Sequence, residues 1–151
     1  MNIKKLILFF STALILFLLL IFTTNSLKAQ CDNNLRREAY KAIEGGTYIR
    51  DFRIAIGESK PKKPATEEKS VILSKGNRYR FVIIKDPTRE GDPILKIYDQ
   101  HREFATNAFG DGSVQVFDFV CNNTQVYKLS VHFQQGKDGC CILMLGLMEK
   151  H

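Results

Sequence analysis

Gln125-Val126-Tyr127-Lys128-Leu129-Ser130-Val131-His132-Phe133 is the stretch whose reading decides the fold. Tyr127, Leu129, Val131 and Phe133 fall on one side of an extended chain; Val126, Lys128, Ser130 and His132 fall on the other. Successive side chains of a strand point to opposite faces, so this is a strand with one buried side and one wet side. A helix would scatter the same four apolar residues around its axis.

The flanking chain reads the same way. Asn122-Asn123-Thr124 is a turn, and before it Val114 to Cys121 sets Phe117, Phe119 and Cys121 on one face. Gln134 to Asp138 turns around Gly136, and Cys140 to Met148 is apolar on both faces, as expected of a central strand or one covered on both sides. Further upstream, Arg78 to Lys85 alternates through Tyr79, Phe81 and Ile83 after a Lys75-Gly76-Asn77 turn. Tyr48 to Ile56, Val71 to Leu73, Ile94 to Tyr98 and a short piece from Glu103 to Asn107 complete the strands, with a turn at Phe109 to Gly112. Residues 59–69 and 86–93 are polar, proline-bearing loops. Seven or eight such strands predict a single all-β domain over 47–151, a jelly-roll-like antiparallel β-sandwich. Ahead of it, Leu35, Ala39 and Ile43 recur at helical spacing between an Asp32-Asn33-Asn34 cap and Gly45-Gly46. The segment 30–46 is therefore expected to hold a short helix at 33–44, with Leu35, Ala39, Tyr40 and Ile43 on the sandwich.

The first 29 residues differ from all this. Lys4 and Lys5 form a basic head, Leu6 to Phe22 is almost unbroken hydrocarbon, and the segment closes on Leu27-Lys28-Ala29-Gln30. Basic head, apolar middle and small residue at the exit predict a signal peptide over 1–29, cleaved after Ala29. The expected destination is the periplasm, the cell surface or the medium. The Ala-Gln ending resembles export signals of certain Gram-negative bacteria. Two other readings stay open. The apolar run exceeds the ~7–15 residues of a signal core and falls just short of the ~18 of a confident membrane span, so an uncleaved anchor, with membrane contact through that helix, is one. A lipoprotein acylated on Cys31 is the other, although Gln30 stands where a small residue is required.

Removing 1–29 takes Lys4, Lys5 and Lys28 from the 22 basic residues, leaving 19 against 16 acidic ones, a mature charge of +3. So mild a charge, spread along the chain, argues against nucleic acid as a partner. Four cysteines (Cys31, Cys121, Cys140 and Cys141) remain, and an even count in an exported domain suggests disulfides. If the last three strands form a meander, Cys121 and Cys140 lie about 30 Å apart, beyond the ~7 Å a bridge tolerates. Adjacent Cys140 and Cys141 point to opposite faces. Any disulfide is then expected to join Cys31 to Cys121, Cys140 or Cys141; the alternative is buried, reduced cysteines acting as small hydrophobes.

No cofactor is indicated. His101, His132 and His151 lack metal-ligand spacing to any partner, and no metal site is expected. Asp86, Asp92, Asp99 and Asp111 read as turn residues, not a calcium loop. Ser113, His132 and Asp118 make a hydrolytic triad only on paper, without a nucleophile-elbow sequence. Asn122-Asn123-Thr124 has glycosylation spacing but in a bacterial protein is only a turn. The candidate ligand-binding residues are Lys128, Ser130 and His132 on the wet face, extended by Arg78 and Arg80, facing acidic glycans or an envelope protein.

Three blocks carry a family resemblance: Asn77 to Ile83, Ile94 to Asp99, and Phe117 to Cys121 followed by Gln125 to Val131. Over roughly 71–147 the chain resembles the bacterial pre-peptidase C-terminal module, a secreted jelly-roll-like sandwich. Gln125 stands where that family usually has glycine, and no protease domain precedes the module. A stand-alone group of small exported proteins is the nearer likeness, with Gly139-Cys140 near the end. The resemblance implies an accessory binding or envelope-interaction domain and no enzyme. A structural envelope protein held by an uncleaved helix is the alternative, and a hydrolase the third.

Overall fold

The structure is a computed structural model that describes residue 31, residues 33–99 and residues 102–149. The leader over 1–29, His101 and His151 lie outside the described residues. Ten strands follow the helix α1 (Asn33–Lys41): β1 (Thr47–Ile56), β2 (Thr66–Leu73), β3 (Arg78–Lys85), β4 (Pro93–Tyr98), β5 (Glu103–Thr106), β6 (Ala108–Phe109), β7 (Gly112–Ser113), β8 (Val116–Val120), β9 (Gln125–Phe133) and β10 (Gly139–Glu149).

Two four-stranded sheets run in the orders β1-β10-β3-β8 and β2-β9-β4-β5; β6 and β7 pair only with each other. All pairings are antiparallel. From β2 to β5 and from β8 to β10, consecutive long strands mostly alternate between the sheets, which is the jelly-roll arrangement. The expected all-β, jelly-roll-like sandwich is what the chain forms.

Alternation decides what fills the space between the sheets. Tyr79, Phe81, Ile83, Cys141, Leu143 and Leu145 from one sheet meet Leu73, Leu95, Ile97, Tyr127, Leu129, Val131 and Phe133 from the other, all buried. Aromatic rings lock the middle: Phe81 stacks on Phe117 at 5.5 Å, and Phe119 and Phe104 both meet Tyr127 edge-on, at 5.5 and 5.9 Å. Each such buried side chain contributes about 1.5–3 kcal/mol.

β10 is apolar on both faces because it is covered twice. Its outer residues Cys140, Ile142 and Met144, with Val82 and Ile84 of β3, pack under Cys31, Leu35, Ala39 and Ile43 in a second buried cluster. The cover comes so close that a Cβ on Gly146 would lie 2.6 Å from Ile43 Cγ2. A disulfide joins Cys31 to Cys140, with Cα atoms 5.6 Å apart. Cys121 and Cys141 are buried free thiols, and burial pushes the Cys141 thiol up to about 12.

Several expectations need correction. The helix ends at Lys41, with turns continuing to Gly45 in place of helix to Glu44. Tyr40 is 60% exposed and does not lie on the sandwich: Leu35 and Ala39 already face the sheet, and Tyr40 follows on the other side of the helix. Thr66 to Lys69, read as loop, are strand, because an edge strand tolerates charged residues. The last three strands form no meander: β8 and β10 flank β3 in one sheet, and β9 lies in the other. The distance argument against Cys121–Cys140 survives on different ground. Cys121 donates to the Asn77 carbonyl and Cys140 accepts from the Asp86 N–H, so the two cysteines sit beyond opposite ends of β3, about 30 Å apart.

Candidate binding surface

The two sheets differ in what covers them. In β1-β10-β3-β8, α1 and Ile43 cover the outer face of β10 and β3, while Val116 and Val120 on the edge strand β8 stay exposed. Among the described residues, no helix packs on the outer face of β2-β9-β4-β5, although Ile94 and Ser130 on that face are themselves buried. That bare face carries Glu68, Ser70 and Ile72 from β2, Val126, Lys128, Ser130 and His132 from β9, and Lys96 and Tyr98 from β4, placed by the registers Glu68↔Ser130, Ile72↔Val126, Lys96↔Ser130 and Tyr98↔Lys128.

Lys128, Ser130 and His132 therefore do share a face, but Arg78 and Arg80 do not join them. Both arginines lie on the outer side of the other sheet, because Tyr79 and Phe81 between and beside them point into the core. There Asp118 engages them, at 2.8 Å from Arg80 and 3.9 Å from Arg78. The Arg80 guanidinium holds the Asp118 carboxyl below its ordinary value. Ser130 is not wet either: flanked in register by Glu68 and Lys96, it is 8% exposed.

The charges on the bare face are spent locally. Lys128 reaches Glu68 at 3.3 Å and Lys96 reaches Glu103 at 3.0 Å, where Tyr98 also donates a hydrogen bond of 3.2 Å. Burial lowers the His132 pKa from its ordinary value, and repulsion from Lys96 adds to this, which favours the neutral imidazole. A neutral imidazole donates at one nitrogen and accepts at the other. The face is thus polar without a strong field.

Apolar side chains flank it. At one end Ile72 and Val126, paired in register, are 74% and 56% exposed. Together with Ile49, Arg50, Ser70, Val71 and Leu145 they line a cleft of about 590 Å³ between the β1 and β2 edges. At the other end a finger springs from the sheet. Asn107, almost wholly buried, accepts from the Leu95 N–H at 2.7 Å through Oδ1 and donates from Nδ2 to the carbonyls of Pro93 and Val114, each at 3.1 Å. It thereby pins the β6–β7 hairpin to β4, near the Ile94↔His132 pair. The tip presents Phe109, 79% exposed. From the sequence alone, Phe109 to Gly112 reads as a plain turn. The phenylalanine at a tight turn was the one available signal of something more.

The paper triad does not assemble: Ser113 is in the finger, His132 on one outer face and Asp118 on the other. Asp86 caps a turn at Thr88, Asp92 pairs with Lys85, and Asp99 accepts from the Arg102 N–H, so the loop aspartates are scattered. Among the described residues, no three His, Cys, Asp or Glu side chains gather as metal ligands, and no helix is long and apolar enough to cross a membrane.

No protein-family model matches the chain, and no curated protein matches it. Among solved structures, the crystal structure of Aeromonas hydrophila PliG, a periplasmic lysozyme inhibitor of g-type lysozyme, is similar at a TM-score of 0.48 and 11% identity, over 69% of this chain and 89% of that one. A likeness of that size leaves ligand and mechanism to the residues themselves.

Proposed function

We propose that this is an exported, non-catalytic domain that binds a protein partner through the bare face of the β2-β9-β4-β5 sheet and the Phe109 finger. One observation carries the reading: a phenylalanine held in water at the end of a hairpin that a buried asparagine fixes in place. Exposing a ring costs free energy that a partner's pocket returns, and a pinned hairpin loses little entropy on docking. Paired charges in the middle and apolar groups at the ends resemble a protein interface more than a glycan cleft. The Cys31–Cys140 bond supports export, since structural disulfides belong to oxidising compartments. Its sulfur chemistry also disfavours an acyl chain on Cys31.

The test is photo-crosslinking in the cells that make the protein, with a photoreactive amino acid at position 109, at 126, or at exposed position 38 on α1. Discrete adducts from 109 and 126 but not 38 are expected. Phe109→Ala should weaken the 126 adduct by about 30-fold, the value of one interface hot spot. Equal labelling at all three positions, or none at 109 and 126, overturns the proposal.

A further inference from the structure

On the far side of the molecule, α1 turns its outer surface to solvent. Arg36, Arg37, Tyr40 and Lys41 there, with Tyr48 from the start of β1, line a shallow cleft of about 440 Å³. That volume falls within the ~300–1,000 Å³ of small-molecule sites. A bulge between Tyr48 and Arg50 lets β1 turn the Tyr48 ring toward the helix. The rings of Tyr40 and Tyr48 stand 5.9 Å apart, inclined at 38°.

The floor of the cleft is fixed. Asp51 accepts a hydrogen bond of 2.5 Å from the Tyr48 hydroxyl and one of 2.7 Å from Arg36. It is thereby committed to the floor, and it offsets the charge of Arg36. Arg37 donates to the neutral Asn34 amide. Among the described residues, no carboxylate lies at ion-pair distance from Arg37 or Lys41. Glu38 and Glu44 belong to the same segment but do not line the cleft. Arg37 and Lys41, neither at ion-pair distance from a described carboxylate, thus border an inclined pair of exposed tyrosine faces.

We infer that this cleft binds an acidic saccharide, a pyranose stacked on Tyr40 and Tyr48 with its carboxylate on Arg37 and Lys41. A pyranose offers C–H groups on one face and hydroxyls at its rim, which suits an aromatic wall bordered by polar groups. Arginine meets a carboxylate with two parallel hydrogen bonds. Rings inclined at 38° do not clamp a flat base between them. The site is separate from the bare sheet, so its failure would leave the protein-binding proposal intact.

The full, oxidised chain in detergent micelles would be titrated with tetragalacturonate, with its methyl ester, and with oligoglutamate of equal charge. The acid should bind about 10- to 100-fold more tightly than the ester, as expected for losing a charged hydrogen-bond pair. Tyr40→Ala should cost at least about tenfold, and Tyr40→Phe should restore most of it. Unfolding midpoints of these variants should match wild type, since Tyr40 is exposed. No binding, equal binding of acid and ester, equal binding of oligoglutamate, or indifference to Tyr40→Ala overturns the assignment.

Discussion

Replacing both bridged cysteines, Cys31→Ala with Cys140→Ala, should destabilise the domain by about 3–5 kcal/mol. The bond spans 109 residues of sequence. Opening a loop of that length returns about 4.7 kcal/mol of chain entropy to the unfolded state in the simple model, and native disulfides measure about 2–5 kcal/mol. The apolar contacts of Leu35, Ala39 and Ile43 with Val82, Ile84, Ile142 and Met144 persist in the variant, so α1 should stay docked. From Cys31 onward the chain has about 120 residues. At about 2.1 cal/mol/K of unfolding entropy per residue, the midpoint should fall by roughly 12–20 °C. Urea unfolding at 25 °C by far-ultraviolet dichroism, for wild type with and without reductant and for the double variant, gives the difference directly. Reduced wild type and the variant should agree within about 1 kcal/mol. A loss below about 1 kcal/mol would refute the reasoning: the segment before α1 would then not be tied to β10.

Gly146→Ala should cost about 1–3 kcal/mol through its clash with Ile43, and Ile43→Ala in the same chain should recover part of it; urea unfolding of the four-member cycle reads the coupling. Asn107→Leu should cost about 2–4 kcal/mol, because it strips partners from the Leu95 N–H and from the carbonyls of Pro93 and Val114; hydrogen exchange should show the finger opening first. His132 has a folded pKa below 6.5, so the unfolded chain takes up its proton first. Its contribution to stability is complete above that value and falls as pH drops through it; His132→Gln should flatten the slope of urea midpoints on the acid side of pH 6.5.

Strand order was the part that local reading could not reach. The alternation through Tyr127, Leu129, Val131 and Phe133 named a buried face correctly, because a strand's period of two is a local property. Which sheet each strand joins is set by side chains far apart in sequence, and β8, β9 and β10, consecutive in the chain, do not pair consecutively in space. The sequence alone cannot separate Arg78 and Arg80 from Lys128 for the same reason: alternation tells in from out but not one outside from the other. The double apolarity of β10 was legible; its cause, a helix tethered at Cys31, was only half so. Ser130 looked wet by pattern and is covered by its long charged neighbours across the sheet. Phe109 gives no pattern signal in the sequence, because an apolar residue beside a tight hairpin turn carries no periodicity at all.

Hydroxyl-radical footprinting of the oxidised protein tests most directly the claim that α1 seals β10 and β3 while no helix covers the other sheet. Phe109, Ile72 and Val126 should label quickly, and Met148 should oxidise well ahead of Met144, which lies fully buried under α1. Met144 reacting as fast as Met148, or Phe109 and Val126 shielded in the free protein, would contradict it.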